Sequence, residues 1–186
     1  VGCQFRNKID VLSVGMSGRA FTSGNIRAIE PYGGPAKQNI IFLVHDRGIY
    51  SRYDDSVTRV VESLNEPIRR ARGYAPYPIT LPFESDIDIL AAGPEQKNTF
   101  TLLTGRYAFV SQHIGDMENA ETLEHYEQTI ALYEQLFRIE PRLVAYDVHP
   151  EYLSTKYAME LDLPKNDVQH HHAHIVSVTA EHGIGD

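Results

Sequence analysis

Leu143-Val-Ala-Tyr-Asp-Val-His-Pro-Glu-Tyr152 is the stretch from which the fold can be read. Leu143–Tyr146 is a continuous apolar run with one β-branched residue, which predicts a buried strand. The run ends on Asp147 and His149, then Pro150, a residue that can open a helix without wasting an N–H. A strand that hands polar side chains to its C-terminal end and passes into a helix is the unit of an α/β sheet, and ligands gather at such ends.

Working outward, the same alternation continues. Upstream, Leu123, Tyr126, Ile130, Tyr133 and Phe137 recur at spacings of three and four, the apolar face of one helix, with Asn119 as its N-cap. Downstream, Glu151–Leu161 and His172–His182 read as helices, the second stopped by Gly183. Phe100–Leu103 and Tyr107–Val110 flank Thr104-Gly-Arg106, a hairpin signal. Asn39–Val44 is a second buried strand, and Ser56–Glu66 is either a short strand or a helix. Strands alternating with helices predict the α/β class.

Tyr74–Phe83 carries three prolines, expected to interrupt pairing and to form an extended linker between two parts of opposite charge. Residues 1–82 hold 11 Lys+Arg against 7 Asp+Glu, whereas residues 83–186 hold 6 against 18. The acidic part is a poor nucleic-acid surface. With 42% apolar and 23% charged residues the composition is that of a globular chain, and no run approaches the ~18 apolar residues of a membrane span. The single cysteine, Cys3, excludes an internal disulfide and a cysteine zinc cluster; a cytoplasmic setting is expected. The opening residue is Val1, not Met, and a fragment or a processed piece is therefore expected.

Several segments are candidates to carry chemistry. In Gln169-His-His-His-Ala-His174, His170 and His174 are four apart, so a helix puts both imidazoles on one face within reach of one divalent cation, zinc or iron. The alternative is a solvated histidine tract. His171 and His172 point to other faces and, with His149 at the strand end, are the candidate catalytic groups. Asp147 is either a functional carboxylate or a helix cap. Arg52-Tyr-Asp-Asp-Ser56 and Arg69-Arg-Ala-Arg-Gly73 suit anionic oxygens, or else form a surface ion-pair network. Gly93-Pro-Glu-Gln-Lys-Asn-Thr99 either turns Lys97 toward a phosphate or is a plain turn.

Phe42-Leu-Val-His-Asp-Arg47, Arg52-Tyr-Asp-Asp-Ser-Val57 and Arg69-Arg-Ala-Arg-Gly-Tyr-Ala-Pro76 resemble the end of the YrdC-like domain of HypF carbamoyltransferases. Ala92-Gly-Pro-Glu-Gln-Lys-Asn-Thr-Phe100, Ser111-Gln-His-Ile-Gly-Asp116, Asp147-Val-His-Pro-Glu-Tyr152 and Val168-Gln-His-His-His-Ala-His-Ile175 resemble the start of that family's actin-like (ribonuclease H-type) domain. The resemblance implies a YrdC-like part over 1–78, least clear over 1–38, and an actin-like part over 84–186. It implies an enzyme that uses carbamoyl phosphate and ATP to make carbamoyl adenylate, then carbamoylates the C-terminal cysteine of HypE for cyanide synthesis in hydrogenase maturation. It places Asn25, from Thr22-Ser-Gly-Asn25, and Ser56 near nucleotide or carbamoyl oxygens. Arg52 becomes an anion contact, Lys97 a phosphate-facing group, and His170 and His174 metal ligands. The family's acylphosphatase and zinc-finger parts have no counterpart here, nor does its Asp-Gly-x-Gly segment, so the 186 residues alone are expected to be inactive or impaired. A relative of the tRNA threonylcarbamoylation machinery and a non-catalytic metal-binding module are the alternative readings.

Overall fold

The structure is a computed structural model that describes residues 51–184. Arg52 closes one unit of the chain and Tyr53 opens the other; the elements below belong to the second. The strand expected over Asn39–Val44 and the candidate Asn25 lie outside the described residues.

Val57–Val61 (β1) and Leu64–Arg69 (β2) form an antiparallel hairpin. Its two turn residues, Glu62 and Ser63, both have positive φ, 48° and 70°. A two-residue turn with that backbone matches the twist of paired strands, though it is normally made by Asn-Gly. The unusual Glu-Ser pair is why sequence pattern leaves Ser56–Glu66 open between strand and helix.

The main sheet has the order β4-β3-β5-β6. Ile79–Ala91 (β3) pairs antiparallel with Thr101–Val110 (β4) and parallel with Leu143–Asp147 (β5), which pairs parallel with Lys165–Val168 (β6). Ala120–Phe137 (α1) leads into β5, Leu153–Glu160 (α2) links β5 to β6, and His170–Glu181 (α3) follows β6. The α/β expectation stands.

Two sequence expectations are corrected. Ile79–Phe83, read as the end of a linker, instead opens β3. Pro82 lies where the β3–β4 register shifts between Thr80 and Ser85, so its missing N–H costs no ladder bond. Thr104-Gly-Arg106 does not turn the chain. Gly105, at φ 53°, is an irregular position inside one continuous β4, opposite Ser85. The real turn between β3 and β4 runs through residues 92–100.

The core forms where α1 covers the sheet. Tyr126, Ile130 and Tyr133 are buried against Leu90, Phe100, Leu102, Met117 and Val144, with Leu123 and Phe137 half-buried beside them, the face expected from the spacing. Asn119 caps α1 by accepting the Thr122 N–H at 2.8 Å. Arg138 ends it in the left-handed region at φ 54°. Two tyrosine rings meet Phe100 in T-shaped contacts, with centroids 5.8 Å (Tyr126) and 5.2 Å (Tyr133) away. Their hydroxyls are not wasted. Tyr126 donates to the Ala92 carbonyl at 2.8 Å and Tyr133 to Gln112 Oε1 at 3.0 Å. Among the described residues no helix is long and apolar enough to cross a membrane.

Candidate functional site

Strands β3, β5 and β6 end side by side, and the register puts Asp147 opposite Val168. Two residues beyond Val168, α3 starts at His170. This short passage from strand to helix carries the imidazole back onto the end of β5. His170 Nδ1 lies 2.6 Å from Asp147 Oδ2. One helical turn on, His174 Nε2 faces His170 Nε2 at 3.1 Å. The two rings converge rather than splay, as the spacing of four predicts.

Two imidazole nitrogens ligating one tetrahedral zinc at ~2.0–2.1 Å stand roughly 3.3 Å apart. The observed separation is close to that, so the pair fits two corners of a coordination shell. Among the described residues no group of three or more His, Cys, Asp and Glu is placed to hold a metal ion. Asp147 does not make a third donor here, since its oxygens are taken by other groups. Its side chain is only 8% exposed.

Asp147 also settles a sequence ambiguity. It does not cap α2. Its Oδ1 accepts the His149 N–H at 3.0 Å, while the first N–H of α2, from Leu153, is received at 2.7 Å by Glu95 of the β3–β4 turn. His149 stacks on Tyr152 with centroids 4.1 Å apart and planes 16° from parallel. Its Nδ1 accepts the Glu151 N–H at 3.3 Å. A neutral His149 held this way presents Nε2–H, a donor suited to an oxygen rather than a base. His171 and His172 are exposed on α3 and do not line the cavity.

That cavity, about 280 Å³, opens at the strand ends between Gly93, Pro94, Ala145, Tyr146, His170 and His174. One wall is the β3–β4 turn. Asn98, fully buried, braces it by donating through Nδ2 to the carbonyls of Ala92 at 3.1 Å and Pro94 at 2.5 Å. Lys97 sits in the same turn at φ 50°; its backbone N–H donates to Asp116 Oδ1 at 2.8 Å and the residue is exposed, outside the cavity wall. Sequence reasoning missed Asn98 and Glu95 as braces. Both stand in the quoted Ala92–Phe100 motif, and a buried amide in a glycine turn was the available signal.

Neither Ser56 nor Arg72 lines the cavity. Ser56 donates to the Arg72 carbonyl at 2.9 Å and accepts the Ala71 N–H at 2.8 Å. Its proton is therefore committed to backbone, and in this arrangement Ser56 does not donate to an anion. Arg52 is exposed at the end of the first unit. Arg72 and Asp55 make a 3.3 Å ion pair with both side chains largely in water, a contact of little energetic weight.

His113, in the Ser111–Asp116 motif, titrates below the ordinary imidazole value. Burial is the main cause and Arg69 adds to it, while Asp116 and Asp54 pull the other way. Between the folded and unfolded pKa values the unfolded chain binds the extra proton, so stability rises with pH there. Wild-type stability should therefore fall as pH drops from about 6.5, the unfolded value, toward the lower folded one. His113→Asn should flatten that part of the curve in urea titrations across this range. An unchanged slope would show that other groups carry it.

The family model described as the HypF Kae1-like domain matches residues 84–181, more than half of the chain and every element from most of β3 to α3. The chain belongs to the HypF carbamoyltransferase family. It is 47% identical over 149 residues to the carbamoyltransferase HypF of Synechocystis sp., covering 79% of this chain and 19% of that protein. Against HypF of Rhodobacter capsulatus it is 36% identical over 183 residues, 95% of this chain and 24% of the relative, an alignment that reaches into the residues before 51. Among solved structures it is similar to full-length HypF in the phosphate- and nucleotide-bound form, with a TM-score of 0.73 and 51% identity over 79% of this chain and 24% of that one. HypF of T. kodakarensis gives 0.65 and 41%, covering 72% and 18%. This HypF-family chain thus spans about a fifth to a quarter of the length of these relatives. The β1–β2 hairpin falls outside the 84–181 match.

Proposed function

We propose that the cavity at the ends of β3, β5 and β6 belongs to the carbamoyl-transfer site of an ATP-dependent HypF enzyme. In that reaction water cleaves carbamoyl phosphate to carbamate and inorganic phosphate, and a carbamate oxygen then bonds the α-phosphorus of ATP as pyrophosphate leaves, giving carbamoyl adenylate. The HypE cysteine sulfur then bonds the carbamoyl carbon, the bond from that carbon to the AMP oxygen breaks, and the thiol loses its proton. The convergence of His170 and His174 on the cavity, in a chain of this family, carries the reading.

The chain's own residues have definable parts. His170 and His174 would hold a divalent cation, zinc or iron, which when bound supplies a positive charge for carbamoyl or phosphate oxygens. The apolar walls made by Ala145 and Gly93 offer few groups that compete for a bound ligand's polar atoms. His149, exposed beside the strand ends, is a candidate N–H donor to a substrate oxygen, while His171 and His172, exposed and outside the cavity lining, are given no part in the transfer. By the family resemblance Asn25 and Arg52, in the first unit, are a proposed nucleotide or carbamoyl contact and a proposed anion contact there, and Lys97 is a proposed phosphate-facing group.

Zinc titration tests the metal part. His170→Ala and His174→Ala should each weaken binding at least about tenfold, and unchanged affinity in both removes the metal. Titration with a non-hydrolysable carbamoyl-adenylate mimic, followed by amide NMR, tests the pocket. Shifts at Gly93, Ala145 and Tyr146 are expected; their absence at saturation overturns the assignment of the cavity.

A further inference from the structure

Asp147 touches both chemistry-bearing segments, 147–152 and 168–175. It does so with its two oxygens divided. Oδ1 takes the backbone N–H of His149, and Oδ2 lies 2.6 Å from Nδ1 of His170. A carboxylate has only acceptors, so Nδ1 of His170 must carry the proton, and in the neutral ring Nε2 is then a bare lone pair. That lone pair faces His174 Nε2 at 3.1 Å. In the metal-free protein His174 supplies the N–H between them.

We propose that Asp147 is a positioning residue that locks His170 in its Nδ1–H tautomer and turns the Nε2 lone pair toward His174 and the cavity. The hydrogen bond made by one ring nitrogen decides which state the other takes. The backbone of Asp147 itself is held by contacts its side chain does not make, although the His149 N–H does rest on Oδ1. Asp147 is held in the β5–β6 ladder, and its carbonyl accepts the Thr155 hydroxyl at 2.7 Å.

The requirement for two acceptors makes an isosteric test possible. In Asp147→Asn one carboxylate oxygen becomes an NH₂ group, leaving a single acceptor. With the remaining oxygen on the His149 N–H, the NH₂ group faces His170 Nδ1 and demands an acceptor there, which moves the proton to Nε2. With the amide reversed, two donors collide at the His149 N–H. The Asp147 side chain is itself only 8% exposed while the His170 ring beside it is 42% exposed, so water reaches the imidazole more readily than the group that sets its tautomer. Asp147→Asn should therefore invert the His170 tautomer without removing any atom of bulk.

The experiment is a long-range ¹H–¹⁵N correlation spectrum of the metal-free protein with ¹⁵N-labelled histidine, taken well above the imidazole pKa. Wild type should show His170 as Nδ1–H and Asp147→Asn should show it as Nε2–H. An Nε2–H signal in the wild type overturns the proposal without any variant. So does a folded Asp147→Asn that keeps the wild-type tautomer, whatever happens to its metal binding. The consequence for zinc, a loss of roughly ten- to hundredfold in Asp147→Asn, rests on the metal reading above. If His170→Ala and His174→Ala both leave zinc affinity unchanged, that reading fails alone, and the tautomer assignment is still decided by the spectrum.

Discussion

Gly93→Ala should remove most of the folded stability of the sheet and, with it, the wall of the cavity. Gly93 has φ +72°, and a Cβ placed on it would stand 2.2 Å from the backbone oxygen of Thr99. An L-residue in the left-handed region costs ~1–2 kcal/mol. The contact adds overpacking of ~1–3 kcal/mol, and the offending atom is backbone, so no side chain can swing away. Together these approach the ~5–15 kcal/mol that holds a domain together. The turn cannot relax locally. Asn98 pins the Ala92 and Pro94 carbonyls, Tyr126 pins Ala92 again, and Ala92 N–H donates to Ala145 of β5 at 2.9 Å. Gly105→Ala is the control, because its φ is also positive but the nearest atom is a flexible Glu84 oxygen at 3.8 Å. Urea unfolding should show a much larger loss at 93 than at 105. Equal, small losses would mean the turn is free to move, and the cavity would then have no fixed wall.

The fold is legible where local pattern and tertiary role agree. Helix α1 announces itself by its apolar spacing and by Asn119, and β5 by its unbroken apolar run. The helices after β5 and β6 follow from the same logic. What stays hidden depends on partners distant in sequence. Asp86-Ile-Asp-Ile89 in β3 does carry the period-two alternation of a half-buried strand, but Pro76, Pro78 and Pro82 just before it mask how far the strand extends. β6 is Lys165-Asn-Asp-Val168, with one apolar residue, and exists because β5 offers an edge. Gly105 looks like a turn since turns and bulges use the same residue; which one forms is decided by Ser85 across the ladder. At the site, the residue types are readable and their wiring is not. His170 and His174 lie one helical turn apart, so their meeting follows from sequence. Asp147 meets His170 across 23 positions. Glu95 reaches α2 across 58, a separation no periodicity encodes.

Phe100→Ala should be the most damaging truncation in the core. Phe100 is fully buried, and it is the ring that both Tyr126 and Tyr133 meet in T-shaped contacts. Removing a buried phenyl ring costs ~3–5 kcal/mol, the lost transfer energy plus the cavity left behind. Collapse into that cavity is restrained here, because both tyrosines are tethered by their hydroxyls, to Ala92 and to Gln112. The expected cost therefore lies toward the upper end, a fall in melting temperature of about 10 °C or more. The chain has 11 tyrosines and no tryptophan, so near-ultraviolet circular dichroism reports tyrosine packing directly. The variant should lose much of that signal while its far-ultraviolet spectrum persists. The damage should also reach the site, since Tyr126 is one of the two donors that hold the Ala92 carbonyl at the root of the cavity wall. Phe100→Leu, which keeps most of the apolar volume, should recover much of the stability. A Phe100→Ala protein with the wild-type melting temperature and tyrosine signal would show that α1 does not rest on this ring, and the link from the core to the strand ends would fall with it.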